Sequence, residues 1–432
     1  MSRAQLDHVG TLPQAGQSIQ HDGNEYTTIK EGLAHILVPH GTPTLTDPRM
    51  SKEDVQKQQV FYNPIQQFNR DLSVLAIKTF GQDLVVRKEE KHKLQQQKAE
   101  RKKKRQQTSE KSESEHIVSG SNGGPAKKRK IEDGDAVATE QELLNNNHGV
   151  LKSETEENAV SGANSQDHER REPRKPSFTI LDALSATGLR ALRYAKEIPF
   201  ATSVTANDMS EKATKAIALN VHHNNLQGKV QSHTGNAIAY MYSFCDKKGY
   251  DVIDLDPYGT ASPFIDSAIQ AINDEGLLCV TCTDSAIFAS HGYLEKTYSS
   301  YGGIPFIGDA CHEGGLRLIL HTIASSAAKY GMAIEPLLSL SIDYYIRVFV
   351  RVRKSPHDVK LLAGKTMLVY HCDSGCGSWT TQFLARNKVQ PTKNGSTFMK
   401  HSFSHGPSAD QQCEHCGFKT HVREERCTLT TC

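Results

Sequence analysis

From Ser177 onward, short apolar runs bounded by turn residues alternate with stretches of helical spacing. The run S-F-T-I-L-D-A-L-S-A-T-G-L-R-A-L-R-Y-A reads as strand, glycine-containing turn and helix. S-V-T-A-N-D-M-S predicts a second strand ending at Asp208, and E-K-A-T-K-A-I-A-L-N-V-H-H-N a helix after it. V-Q-S-H-T-G-N-A is a third strand, ending near Asn236 and Ala237. Y-D-V-I-D-L-D is a fourth, and G-L-L-C-V-T-C-T-D a fifth that ends at Asp284. The pattern predicts a last helix over about His312 to Tyr330, then two adjacent strand-like runs, P-L-L-S-L-S-I and Y-Y-I-R-V-F-V-R-V. Strands alternating with helices imply an α/β fold with a mostly parallel sheet and right-handed crossovers, here closed by an antiparallel pair. In such sheets the chemistry sits just past the carboxyl ends of the strands.

Upstream, E-G-L-A-H-I-L-V-P (Glu31 to Pro39) reads as a strand ended by proline. Asn63-Pro64 predicts a turn and helix start, with Ile65, Phe68, Leu72 and Leu75 on one helical face. Arg70 falls off that face; a solvated charge is the plain reading, and a clamp on a carboxylate or phosphate the functional one. Between residues 85 and 176 the chain turns charged and then Ser-, Glu-, Asn- and Gly-rich with scarcely an apolar cluster, which predicts a disordered insertion. Within it P-A-K-K-R-K-I-E-D (Pro125 to Asp133) has the form of a nuclear import signal, implying an import receptor as partner. The domain reading is therefore 1–84 and 177–355 as the two parts of one α/β domain, 85–176 as an insertion, and 356–432 as a smaller C-terminal region.

Composition adjusts this picture in three ways. A hydrophobic content of 37% over 432 residues is low for a wholly folded chain, in keeping with the insertion. The net charge of +2 hides an uneven distribution, and the basic run after residue 87 offers sequence-independent phosphate attraction. No signal peptide or long apolar run is present, so neither secretion nor a membrane span is expected, and the first 20 residues make a weak mitochondrial presequence. The expected location is the nucleus, with mitochondrion or cytosol as further possibilities, and the expected state a monomer.

Candidate chemistry concentrates at the strand ends. After the fourth strand, Asp256, Pro257 and Tyr258 place an acid, a rigid proline and an aromatic ring together. The order resembles the D-P-P-Y type of site that amino-group methyltransferases use on nucleobases and amides. The carboxylate can accept a target N–H, and the ring can stack on a flat base. An ordinary D-P turn and core packing of the tyrosine are the alternatives. The first turn, D-A-L-S-A-T-G-L-R, carries only Gly188, which disfavours a dinucleotide pyrophosphate but suits S-adenosylmethionine, which has no phosphates. Asp208 is then placed for ribose hydroxyls, Asn236 and Ala237 for the adenine edge, and Asp182 for the amino-acid ammonium. An exocyclic amine is a poor nucleophile, so catalysis would be mostly positioning and electrostatics, and a base buried in a duplex would have to be flipped out.

All ten cysteines lie at or after Cys245. Cys372-x3-Cys376-Gly and Cys413-x2-Cys416-Gly form two knuckles able to close a tetrahedral Zn²⁺ site, with glycine allowing each turn. C-E-H-C is the stronger half. Free buried thiols are the alternative, and His371 and His415 are lesser candidate ligands. Cys427 and Cys432 stand in a polar tail.

Together these strings resemble the tRNA (guanine-N2)-dimethyltransferase family, whose members methylate the exocyclic amine of guanine 26. The shared motifs are F-Y-N-P with N-R-D (Phe61 to Asp71), L-D-A-L-S-A-T-G-L-R (Leu181 to Arg190), A-N-D (Ala206 to Asp208), G-N-A (Gly235 to Ala237), D-L-D-P-Y-G-T-A-S-P-F (Asp254 to Phe264), C-H-E (Cys311 to Glu313) and the cysteine pairs. The resemblance spans about residues 31–84 and 177–417. It implies a Rossmann-like class I methyltransferase fold, S-adenosylmethionine as cofactor, tRNA as partner, and a smaller C-terminal domain that grips tRNA and carries zinc. It also implies Arg70 and Arg190 as cofactor-site residues, Phe61 as part of the methyl-transfer pocket and Asp256 as the catalytic carboxylate. The long insertion is not general to the family. Members usually continue well past the second cysteine pair, whereas F-K-T-H-V-R-E-E-R-C-T-L-T-T-C matches nothing in them, which implies a truncated or alternatively spliced product. The competing readings are a methyltransferase on another planar amino group, an adenine N6 or a protein glutamine, and an inert tRNA-binding form.

Overall fold

A computed structural model describes residues 12–40, 62–116, 176–290 and 293–423. Phe61, the basic Pro125–Asp133 string, Cys427 and Cys432 lie outside them. The chain divides into two units, Met1–Lys88 with Pro176–Cys432, and Glu89–Lys175.

The first unit begins with an antiparallel sheet of β1 (Ser18–His21), β2 (Asn24–Glu31) and β3 (Ala34–Pro39). Helix α1 is Gln67–His116; its start is set by the Asn63 side chain, which accepts the Ile65 N–H, and by Pro64 in the short turn before it. The central sheet holds β4 (Thr179–Asp182), β5 (Ser203–Asp208), β6 (Val230–Thr234), β7 (Tyr250–Leu255), β8 (Ile272–Cys282), β9 (Met332–Ile342) and β10 (Tyr345–Lys354) in the order β6-β5-β4-β7-β8-β10-β9. β4 to β8 run parallel, and β10 is antiparallel to both β8 and β9. The chain reverses its direction of winding between β4 and β7, and a crevice forms outside the strand ends at such a point.

Helices cover both faces, so the strands are apolar on both sides. On one face α2 (Leu189–Glu197), α3 (Glu211–His223), the first part of α1 and strand β3 bury Ile77, Phe80, Leu84, Leu192, Tyr194 and Ile217 against Ile180, Val204 and Val252. On the other, α4 (Ala237–Tyr242), α5 (Ser262–Ala271), α6 (Leu294–Tyr301) and α7 (Cys311–Ala328) enclose Leu181, Ile253, Leu278 and Val348. After α8 (Pro356–Lys360) come a sheet of β11 (Met367–His371), β12 (Trp379–Phe383) and β15 (His421–Arg423), and a hairpin of β13 (Ala385–Pro391) and β14 (Thr397–Phe403). Among the described residues no helix is long and apolar enough to cross a membrane.

Two expectations are corrected here. The expected apolar face of α1 is its outer one: Ile65, Phe68 and Leu75 are 70%, 57% and 63% exposed, while Asn69, Arg70, Ser73, Val74, Ile77 and Phe80 are buried. Polar residues on the inner face displaced the apparent stripe. The second is the disorder expected from residue 85, since this helix runs on to His116. Glu, Lys, Gln and Arg favour helix even without an apolar face, and Glu89 with Lys93 has the supportive i, i+4 spacing.

Candidate active site

The carboxyl ends of β4, β5, β7 and β8 bring Asp182, Asp208, Asp256 and Asp284 to one edge of the sheet. The turn after β4 depends on backbone that few residues tolerate. Ala186 has φ 50° and Gly188 φ 80°, and a Cβ on Gly188 would meet Ile217 at 3.2 Å. Asp208 fastens this turn, accepting the Ala186 N–H at 3.0 Å on one oxygen and the Ser210 N–H at 2.8 Å on the other. Asn236 caps α4, accepting the N–H groups of Ile238 and Ala239, with Ala237 buried behind it. The loop after β7 is pinned to the end of β8: Gly259 N–H donates to Thr283 Oγ1 at 2.8 Å, and Thr283 N–H donates to Gly259 O at 3.0 Å. Pro257 is buried at the start of this loop, and Tyr258 projects from it, 77% exposed. The carboxylates of Asp256 and Asp208 are close enough to act on the Tyr258 hydroxyl, so this ring stands near two strand-end acids.

Asp256 is held by the Arg190 guanidinium. Burial alone would raise its pKa, but Arg190, Arg347 and Thr281 outweigh burial and hold the carboxyl below the ordinary range. Arg190 also lies 3.6 Å from Asp254, which receives the Tyr194 hydroxyl and pairs with the fully buried Arg347 at 2.7 Å. Ser73 on α1 touches both arginines.

Asp182 behaves in the opposite way. It is 1% exposed; Ser185 Oγ donates to one oxygen at 2.6 Å, and the other has no hydrogen-bond partner among the described residues. Burial and then the Asp254 charge push its pKa up to about 7. Such an orphaned oxygen fits a cationic ligand group. Asp284, raised by burial, accepts the Tyr301 hydroxyl at 2.8 and 2.7 Å.

The structure thus gathers Asp182, Gly188, Arg190, Asp208, Asn236, Ala237, Asp256, Pro257 and Tyr258 along one edge. Arg70 is placed differently. It is buried and bidentate on Glu31, at 2.7 and 2.5 Å, and its guanidinium also donates to Asn63 O at 3.0 Å. The solvated charge does not describe it; the clamp on a carboxylate does, and the carboxylate is Glu31. Ser73, Tyr194, Asp254 and Arg347 were not singled out from sequence. The available signal was Arg347 itself, an arginine inside the otherwise apolar run Tyr345–Val350 of a strand covered on both faces.

The four cysteines Cys372, Cys376, Cys413 and Cys416 converge, every sulfur within 4.8 Å of the others. Cys372 and Cys416 sulfurs are 3.5 Å apart, and those of Cys376 and Cys413 are 3.6 Å apart. A tetrahedral ion with metal–sulfur bonds of about 2.3 Å sets sulfurs roughly 3.8 Å apart, so the residues fit a metal. The knuckles match: Gly377 N–H donates to Cys372 O and Gly417 N–H to Cys413 O, with φ 73° and 74°. Neither His371 nor His415 joins this group.

A family model described as N2,N2-dimethylguanosine tRNA methyltransferase matches residues 41–424. The Schizosaccharomyces pombe tRNA (guanine(26)-N(2))-dimethyltransferase is 42% identical over 421 residues, 96% of this chain and 63% of the relative. The Saccharomyces cerevisiae relative, named tRNA (guanine(26)-N(2))-dimethyltransferase, mitochondrial, is 40% identical over 92% of this chain and 60% of its own length. The chain therefore spans less than two thirds of these relatives. Among solved structures, Trm1 from Pyrococcus horikoshii with S-adenosyl-L-methionine aligns with TM-score 0.53 at 22% identity, covering 89% of this chain and 74% of that one. That likeness supports the methyltransferase fold.

Proposed function

The chain belongs to the N2,N2-dimethylguanosine tRNA methyltransferase family, and we propose that it methylates the exocyclic N2 amine of guanine 26 in tRNA, giving N2-methyl- and N2,N2-dimethylguanosine. The observation that carries this reading is the Asp256 carboxylate, kept ionised by Arg190 at a strand end beside the exposed Tyr258 ring. S-adenosylmethionine, when bound, supplies the electrophilic methyl. Asp182 would take its ammonium on the oxygen that lacks a partner, Asp208 its ribose hydroxyls, and Asn236 with Ala237 its adenine edge, around the turn shaped by Gly188.

The guanine amine is a weak nucleophile because its lone pair is delocalised into the ring. Asp256 accepts an N–H and directs the remaining lone pair. A nitrogen that has gained a methyl is cationic and sheds its proton readily, so a carboxylate of lowered pKa suffices to receive it. Pro257 fixes the loop, Tyr258 stacks on the base, and family likeness adds Phe61 to this pocket. Arg190 orients Asp256; Arg70 braces the start of α1 through Glu31.

We read residues 1–84 and 177–355 as the methyltransferase domain, 85–176 as an insertion and 356–432 as the region that contacts tRNA. Cys372, Cys376, Cys413 and Cys416 would hold one structural Zn²⁺. The P-A-K-K-R-K string supports binding of an import receptor and a nuclear location, and the yeast relative's name supports a mitochondrial one. The test is Asp256→Ala: methyl transfer to tRNA is expected to fall by about 100-fold or more while calorimetry finds cofactor affinity within about threefold. An active Asp256→Ala enzyme overturns the reading.

A further inference from the structure

We propose that Ser73, Arg347, Asp254 and Thr281 form a positioning frame for the Asp256 carboxylate, Ser73 and Asp254 acting on it through Arg190 and Thr281 and Arg347 from beside it, which ties the first helix of the chain to the reaction centre. The inference rests on the reading that Asp256 is the group that meets the target amine.

The frame is defined by Ser73. Its hydroxyl donates to the Asn69 carbonyl one turn back on α1, at 2.7 Å. Its single proton is thereby used, and both lone pairs face outward. One accepts Arg190 Nη1 at 3.0 Å and the other Arg347 Nη2 at 2.8 Å. Arg347 is wholly buried and reaches Thr281 Oγ1 at 2.6 Å and the Asp254 carboxylate at 2.7 Å. Asp254 is also wholly buried, accepts the Tyr194 hydroxyl, and stands 3.6 Å from Arg190. The far end of Arg190 then meets Asp256, the one member of the set with exposed carboxylate surface. Five elements, α1, α2, β7, β8 and β10, thus meet around the two guanidiniums of Arg190 and Arg347. A hydroxyl that accepts twice holds two guanidiniums of like sign without neutralising either. Alanine at 73 leaves two buried guanidinium N–H groups without an acceptor, and Arg190 is the one free to move, because its other end faces the site.

The charged and titratable groups that act on Asp256 are Arg190 from α2, Arg347 from β10, Asp182 from β4, Asp254 from β7, and Tyr258 and Tyr345 beside it. Loosening Arg190 weakens the main attraction that keeps Asp256 ionised, so its pKa rises. A purely structural Ser73 would change stability and leave that titration where it was.

The experiment follows the side-chain carboxyl carbons of ¹³C-aspartate-labelled full chain by NMR against pH, with the Asp256 signal identified by its loss in Asp256→Asn. Ser73→Ala and the near-isosteric Thr281→Val are each expected to move the Asp256 midpoint up by about one unit. Ser73→Thr, which keeps the hydroxyl, is expected to restore it. On tRNA the two shifted variants should lose about tenfold or more in kcat with KM within about twofold. An Asp256 midpoint unmoved in Ser73→Ala overturns the relay through Arg190; where Ser73→Ala gives no cooperative melt, Ser73→Cys, whose sulfur accepts only weakly, is titrated in its place, and an unmoved midpoint in Thr281→Val removes Thr281 from the frame. Wild-type chain that leaves guanine 26 unmethylated overturns the proposed reaction, while the NMR midpoints still decide whether the frame holds Asp256.

Discussion

Asp182 and Asp256 end neighbouring strands and are driven in opposite directions. Arg190 holds Asp256 ionised, whereas burial and the Asp254 charge lift Asp182 to about 7. Opposed carboxylates of this kind mark separate roles in one site. Below about pH 7 Asp182 carries a proton and attracts an ammonium weakly. S-adenosylmethionine affinity is therefore expected to rise with pH through 7, by up to about tenfold per unit below the midpoint, with proton release on binding. Calorimetry in two buffers of different ionisation enthalpy checks this, and Asp182→Asn should flatten the dependence. The same shift has a stability consequence. A carboxyl raised in the folded state contributes stability below its unfolded pKa and loses it as pH rises towards 7, so Asp182→Asn should gain on the wild type between about pH 4 and 7 in melts and keep that gain above 7. For Asp256 the sign reverses. Arg190→Met is expected to raise its pKa and shift the acid limb of kcat/KM upward, read from a pH–rate profile. The acids were legible in the sequence because each closes an apolar run. Ser73 was not, because a serine's two acceptor contacts come from residues 117 and 274 positions away.

Among the elements, α1 shows how a polar inner face misleads periodicity. Ile65, Phe68, Leu72 and Leu75 have helical spacing, yet the buried set is Ser73, Val74, Ile77, Phe80 and Leu84, with Asn69 and Arg70. Arg70 and Ser73 meet partners distant in sequence that the linear pattern does not show. Ile77→Ala is accordingly expected to cost about 2–5 kcal/mol in chemical denaturation, and Phe68→Ala less than about 0.5 kcal/mol. The strands of the seven-stranded sheet were legible, down to the antiparallel β9–β10 pair, because a sheet covered on both faces leaves apolar runs; β1, β2 and the strands after residue 366, which apart from β11 carry no such runs, were not read. Within β10, Arg347→Ala should cost about 3–5 kcal/mol by stranding the Asp254 charge.

At the scale of the molecule, the strand-end acids and the four-cysteine cluster are separate. The strand-end acids belong to the seven-stranded sheet, and the four cysteines to the knuckles around β11 and β15. Cys413→Ser is expected to lose stoichiometric zinc by elemental analysis and to leave S-adenosylmethionine affinity within about twofold. The cysteine pairs and their meeting in one cluster were readable from spacing, and the fold of residues 367–423 brings 372 and 413 together. The most direct measurement incubates the chain with S-adenosylmethionine and two tRNA transcripts, one with guanine and one with adenine at position 26, followed by nucleoside mass spectrometry. N2-methyl- and N2,N2-dimethylguanosine from the first transcript alone is the expected result. Methylation of another base, equal methylation of both transcripts, or tRNA and cofactor binding without product would contradict it.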